Sequence, residues 1–234
     1  RDLVDNKRLK ANAVVGIFEA YEKEGDVILP SENYTFNFLR QQRKMGTNIP
    51  NISLADYIAP ESTKIKDYIG AFAVTAGIGI EPIIAKYEED HDDYNSIMVK
   101  AIADRLAEAF TEYMHQKVRQ EIWGYASDEK WTNDEILREK YQGIRPAPGY
   151  PACPDHTEKA KLWELLDVEN NTEISLTDSY AMYPTASVSG LYFSHPKSKY
   201  FAIGKIHNDQ VEDYAKRKNA SVDTMKKWLG PNLF

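Results

Sequence analysis

One cysteine, Cys153, in 234 residues leaves no partner for an internal disulfide and too few thiolates for a cysteine metal cluster. No apolar run reaches the roughly 18 residues that a membrane-spanning helix needs, and the N-terminal stretch has no export signal, so the cytoplasm is the expected compartment. Positive charge is also short. The chain carries 29 Lys and Arg against 36 Asp and Glu, a formal charge of −7, with an isoelectric point near 5.3, whereas a phosphate-backbone partner calls for a basic excess or stripe. The most basic pieces, Arg40 to Lys44 and Lys216-Arg217-Lys218, read as solvated faces. No Gly-x-Gly-x-x-Gly follows a strand, no Gly-x-Ser-x-Gly elbow occurs, and no segment recurs with a period of about 20 to 50 residues. These absences argue against a doubly wound nucleotide fold, an esterase-type nucleophile and a solenoid.

What is present is enough for a globular core, with 42% apolar residues and a length suited to one large domain. Strand-type alternation is seen at Ala13 to Ala20, Asp26 to Pro30, Asn33 to Leu39 and Asp67 to Thr75, the last breaking at Ala76-Gly77. From Asp92 to about Trp123 the period is helical, with Ile97, Ala101, Ile102, Leu106, Ala109, Phe110, Tyr113 and Met114 expected on the core face. Thr132 with Glu135 forms a capping box, and Asp155 with Glu158 repeats its spacing before a helix through Leu166. Strands return at Ser179 to Met182, Ser187 to Phe193 and Lys199 to Ile206, followed by helices from Asp209 and over Ser221 to Leu229. The fold class predicted is α+β, a mainly antiparallel twisted sheet flanked by helices, in a single domain with one long helix. Gly143 is the one place where lobes could separate. The polar, helix-like start RDLVDNKRLKAN begins at Arg1 rather than Met, from which a trimmed piece of a longer chain is expected.

The most informative segment is Arg145 to His156, RPAPGYPACPDH. Pro146, Pro148, Pro151 and Pro154 fix φ at four positions, so the loop loses little entropy when held in one shape. Proline has no N–H, which leaves carbonyls and the amides of Ala147, Gly149 and Ala152 to address a ligand. Gly149 admits close backbone approach, Arg145 offers a planar fork suited to a carboxylate, and Tyr150 offers a ring and a hydroxyl. A zwitterionic amino acid joined to a nucleoside and a sulfonium would use these features together. A structural Pro-rich connector, with Arg145 paired to a nearby Glu, is the alternative.

The string GIRPAPGYPACPDHTEK (Gly143 to Lys159) is similar to the S-adenosylmethionine-binding stretch of the activation domain of cobalamin-dependent methionine synthases, with its Arg-x-x-x-Gly-Tyr core. LADYIAP (54–60), DYIGAFAVT (67–75), HDDYNSIMVKAIADRLAEAF (91–110), SVSGLYFSHPKSKYF (187–201), DQVEDYAKRK (209–218) and WLGPNL (228–233) resemble the family in the same order and together span nearly the whole chain. The resemblance implies a methyltransferase domain, 1–234, lacking the N-terminal part of the family's domain and inactive when isolated. It would bind S-adenosylmethionine and supply its methyl group when cob(II)alamin, carried by a neighbouring cobalamin-binding domain, is reduced by a flavodoxin-type electron donor and returned to methylcobalamin. Neither nucleic acid nor membrane is an implied partner.

By the same resemblance Arg145 would hold the methionine carboxylate, with Ala147, Gly149 and Tyr150 lining the ligand. Tyr200 and Phe201 match an aromatic pair bordering it, although Phe201 stands where the family has a second Tyr. Glu108 and Asp104, four apart on the long helix, resemble acidic positions facing the ligand or the cobalamin domain; a solvated helix face accounts for them equally. The family also uses an Asp upstream of Arg1. His156 closes the loop. His91-Asp92-Asp93 is explained by helix capping rather than a metal, and Cys153 by a packed thiol. A docking module for a cobalamin domain or flavodoxin-type reductant, without its own ligand site, is the competing reading.

Overall fold

The computed structural model describes residues 8–42 and 46–234. Its sheet has five strands: β1 Lys10–Lys23, β2 Asp26–Leu29, β3 Tyr34–Asn37, β4 Asp67–Ile78 and β7 Ser187–Tyr192, in the order β3-β2-β1-β4-β7. A separate pair, β5 Ser175–Leu176 and β6 Met182–Tyr183, is antiparallel. Strands β1, β2 and β3 meander because their turns are locally encoded. Glu24 and Gly25 lie at φ 53 and 86°, the double positive φ of a two-residue hairpin whose twist matches its strands. The turn places Lys23 opposite Asp26, and the Glu22 carboxylate accepts from the Gly25 amide at 2.8 Å.

The helices are α1 Glu81–Glu89, α2 Asp93–Lys117, α3 Asn133–Leu137, α4 Glu158–Leu166, α5 Val168–Thr172, α6 Asn208–Arg217 and α7 Val222–Trp228. Two of the capping readings hold, at Asp92 and at Thr132 with Glu135. Asp92 accepts from the Asn95 amide at 3.0 Å, and Thr132 and Glu135 exchange both bonds of a capping box. The chain divides into two compact units, Arg1–Gly16 with Phe72–Ser127 and Leu162–Ser189, and Ile17–Ala71 with Asp128–Lys161 and Gly190–Phe234. No break falls at Gly143.

In the first unit α1 and α2 close over the end of β4 through Ala76, Ile80, Ile83, Val99, Ala103, Ala107 and Ala186. This corrects the expected core face of the long helix. Its buried positions are Ser96, Val99, Ala103, Ala107, Thr111 and His115, whereas Ile97 is 65% exposed and Met98, Ile102, Leu106 and Tyr113 also face outward. Small residues win the inner face because Ala103 and Ala107 let α1 approach closely, a packing criterion that hydrophobicity alone does not weigh. Overfilling that seam with Ala107→Leu is expected to cost about 1–3 kcal/mol in chemical denaturation, while Ile97→Ser should stay within about 0.5 kcal/mol. A larger cost for Ile97→Ser than for Ala107→Leu would mean that the faces are reversed.

Other boundaries also shift. β4 continues through Gly77 to Ile78, because a glycine there leaves room for Pro184 and Ala186; an added β-carbon would come 2.8 Å from Pro184 Cβ. The helix-like start is a strand from Lys10, and Arg1 to Lys7 lie outside the described residues. The strand expected at Ser179 to Met182 reduces to Met182–Tyr183. Lys199 to Ile206 forms no strand; its amides go elsewhere, Ile203 to the Pro151 carbonyl at 2.8 Å and Ile206 to that of Asn232 at 2.8 Å. The long α-helix ends at Lys117 and passes into a π turn, Val118–Ile122.

The second unit gathers Leu39, Ile203, Ile206, Val211, Tyr214, Ala215, Met225 and Leu229 around α6 and α7. Phe193 anchors the end of β7 there, edge-on to Phe38 at 6.1 Å and to Tyr57 at 6.2 Å. Among the described residues no helix is long and apolar enough to cross a membrane.

Candidate functional site

The Pro-rich segment lies wholly within the second unit, and its own backbone shapes it. The Ile144 amide donates to the Phe193 carbonyl and the Phe193 amide to that of Ile144, both at 3.0 Å, and the Leu191 amide donates to the Pro146 carbonyl at 2.9 Å. These bonds tie the loop's start to β7. A tight turn follows, in which the Gly149 amide donates to the Cys153 carbonyl at 2.7 Å and the Cys153 amide to that of Tyr150 at 2.9 Å. Prolines on both sides restrict the alternatives to this turn.

Arg145 is half-buried at the loop's head, with Nη1 donating to the Tyr141 hydroxyl at 2.7 Å. A guanidinium has five coplanar donors, and the bond to a buried phenol holds one of them in place. The Arg145 amide donates to the Tyr200 hydroxyl at 3.0 Å, bringing Tyr200 to Arg145 across 55 residues of chain. Tyr150 is 64% exposed. Phe201 is half-buried and packs against the α6–α7 core, so the two aromatics of the pair have different surroundings. Glu108 and Asp104 are exposed on α2, in the other unit.

Gly149 is required twice. Its φ is +93°, and a β-carbon there would lie 2.8 Å from His156 Nε2 and closer still to Cε1. His156 therefore does close the loop, ring against backbone. Burial, with help from the Lys159 ammonium, keeps its imidazole below the usual range.

The loop's far end is held by buried charges that sequence reading missed. Asp155 accepts from the Thr157 amide at 2.8 Å, the Tyr214 hydroxyl at 3.0 Å and Lys218 Nζ at 2.7 Å. Glu158, fully buried, does not reach back as a capping box; it accepts from Lys161 Nζ at 2.9 Å, from the Asn37 amide at 3.2 Å and from Lys218. Lys218 is thus no solvated residue, and Arg217 pairs with Asp26. The basic triplet closes α6, whose C-terminal end turns two of its three charges inward; a Lys-Arg pair at a helix C-terminus gives no sign of that in sequence. Burial opposes the ionisation of Asp155, but the Lys218 charge and the Thr157 and Lys218 hydrogen bonds outweigh it and hold the carboxyl below its ordinary value. Burial likewise pulls Lys218 down, while Glu158 and Asp155 together lift it above the usual lysine range. Asp26 goes the other way, raised by burial that Arg217 only partly offsets.

In the first basic piece, Arg40 makes a two-pronged bond to Asp56 at 2.6 Å on each prong; residues 43–45 are outside the description. Cys153 is buried, and burial together with the negative charges of Glu158 and Asp155 pushes its thiol well up. The thiol is packed, not nucleophilic. At pH 8 the folded protein is expected to leave Cys153 unlabelled by iodoacetamide, with labelling appearing only in denaturant; fast labelling of the native protein would contradict the packing. Among the described residues no group of three or more His, Cys, Asp or Glu is placed to hold a metal.

Comparison with known proteins gives this geometry its setting. The model of the vitamin B12-dependent methionine synthase activation domain matches residues 1–219. A solved structure, the MetH reactivation domain bound to AdoHcy, is 53% identical with a TM-score of 0.96, over 99% of this chain and 73% of that one. With a family match over nearly its whole length and an antiparallel five-stranded α+β fold shared with that structure, the chain belongs to the activation-domain family of vitamin B12-dependent methionine synthases.

Proposed function

We propose that this chain binds S-adenosylmethionine at the Arg145 to His156 loop and supplies its methyl group for the reductive reactivation of a cobalamin carried by another domain of the same enzyme. The observation that carries the reading is an arginine fixed at the head of a proline-stiffened turn, in a chain 53% identical to a reactivation domain solved with AdoHcy. The residues fit such a ligand: a planar guanidinium oriented by Tyr141 for a carboxylate, a glycine with no side chain on the turn, and the exposed Tyr150 ring. When bound, the donor supplies the methyl group of its sulfonium, and a flavodoxin-type protein is the expected source of the electron.

The chain's own contribution is to bind and orient. Arg145 holds the carboxylate end. Ala147, Gly149 and Tyr150 line the turn, and Tyr200, bonded to the Arg145 amide, sets the backbone from which Arg145 projects. Phe201 completes the aromatic pair by the resemblance. Glu108 is proposed on the resemblance alone, as an acidic group for a cationic part of the ligand or for the cobalamin domain. Cytoplasmic location and inactivity of the isolated domain in methyl transfer belong to the same proposal.

Calorimetric titration of the folded chain with S-adenosylmethionine should show one site. Absence of heat under folded conditions, with docking to a cobalamin domain intact, would support the ligand-free docking module instead.

A further inference from the structure

The buried charges beneath the loop reach further than packing. Three carboxylates, Asp26, Asp155 and Glu158, meet three cations, Lys161, Arg217 and Lys218, and the bonds join β2, β3, the loop, α4 and the end of α6. Lys218 stands at the junction. Its ammonium has three protons, and three side chains receive them: Asp155 at 2.7 Å, Thr157 at 2.7 Å and Glu158.

Asp155 is only two residues beyond Cys153, whose carbonyl accepts from the Gly149 amide and whose amide donates to the Tyr150 carbonyl. Pro154, with φ fixed by its ring, links the two and transmits position with little slack. Any displacement of Asp155 therefore moves the turn that presents Gly149 and Tyr150. Tyr214 adds a second hold, its hydroxyl within 3.0 Å of Asp155 and 3.2 Å of the Asn37 carbonyl. Buried ion pairs contribute little net stability compared with a packed apolar core, whereas removing one partner leaves the other charge buried and uncompensated.

We propose that Lys218, supported by Tyr214, is a positioning residue for the S-adenosylmethionine loop: it touches no ligand but, through Asp155, fixes the turn that does. The inference rests on the binding proposed above.

The test is the Kd for S-adenosylmethionine of Lys218→Met and Tyr214→Phe, measured by calorimetry at a temperature where circular dichroism shows each variant folded. Hydrogen exchange of the same proteins without ligand supplies a second readout. Lys218→Met is expected to weaken binding by at least about tenfold and Tyr214→Phe by about threefold, with faster exchange concentrated at the Gly149 and Cys153 amides. A purely structural role would lower Tm and leave Kd at the wild-type value, with exchange rising across the whole unit, and that pattern overturns the proposal. Should Lys218→Met fail to fold, Tyr214→Phe decides by the same criteria. If the wild-type chain itself does not bind S-adenosylmethionine, the function proposed above falls and this inference with it; if it binds and both variants bind equally well, only this inference falls.

Discussion

Arg145→Ala is expected to weaken S-adenosylmethionine binding by at least about a hundredfold in calorimetric titration, with the fold intact. A charge-assisted hydrogen bond contributes about 1.5–3 kcal/mol, and a guanidinium can offer two in parallel to one carboxylate. Two such bonds lost come to about 3 kcal/mol or more, which at about 1.4 kcal/mol per tenfold is two decades of affinity. Arg145 is half-buried and its side chain bonds to the buried Tyr141, so the affinity is read at a temperature where circular dichroism shows the variant folded. Arg145→Lys should recover only part of the affinity, since an ammonium keeps the charge but not the fork. Full binding by Arg145→Ala would remove the carboxylate from this position.

Gly149→Ala is the second large effect. At φ +93° an alanine is strained, and its methyl would overlap the His156 ring; backbone strain of this kind costs on the order of 1–3 kcal/mol. The turn must open, and the expected result is binding weakened by at least about tenfold. The pair Gly149→Ala with His156→Ala separates the two causes. Removing the ring relieves the overlap but not the strain, so the double variant should recover part of the loss. Full recovery would mean that φ is unimportant; none would mean that the ring was never in the way.

The loop was legible in sequence because its properties are local. Four prolines, one glycine and one arginine in twelve residues state stiffness, access and charge without any tertiary information, and the hairpin and helix caps are equally local. The rest depended on packing. The long helix turns Ala103 and Ala107 inward and leaves Ile97 and Leu106 outward, the reverse of what hydrophobicity alone selects, because close approach of α1 needs small residues. Asp155 and Glu158 have the spacing of a capping box but spend their oxygens on Lys218, Lys161 and Tyr214, residues brought in from up to 63 positions away. Only the fold reveals that the last residue of a basic triplet is a buried cation. Tyr200 was assigned by resemblance, and its bond to the Arg145 amide supplies a physical reason for an aromatic with a hydroxyl at that position. Phe201, half-buried against the α6–α7 core, needs none, which fits its lack of one.

Acid should act on the same buried cluster. A carboxyl held below its ordinary value in the folded state contributes stability that is present above its unfolded pKa, near 3.9 for Asp, and lost as pH falls through the lower folded value. Asp155 is such a group. Its contribution should therefore be complete at neutral pH and fade only below about pH 4. In Asp155→Asn that acid-linked part of the denaturation profile should be missing.

The most direct measurement is a crystal of this chain soaked with S-adenosylmethionine. The methionine carboxylate is expected on the Arg145 guanidinium, with the ligand lying along the Ala147 to Tyr150 turn. A ligand seated away from this loop, or carboxylate density not in contact with Arg145, would contradict it.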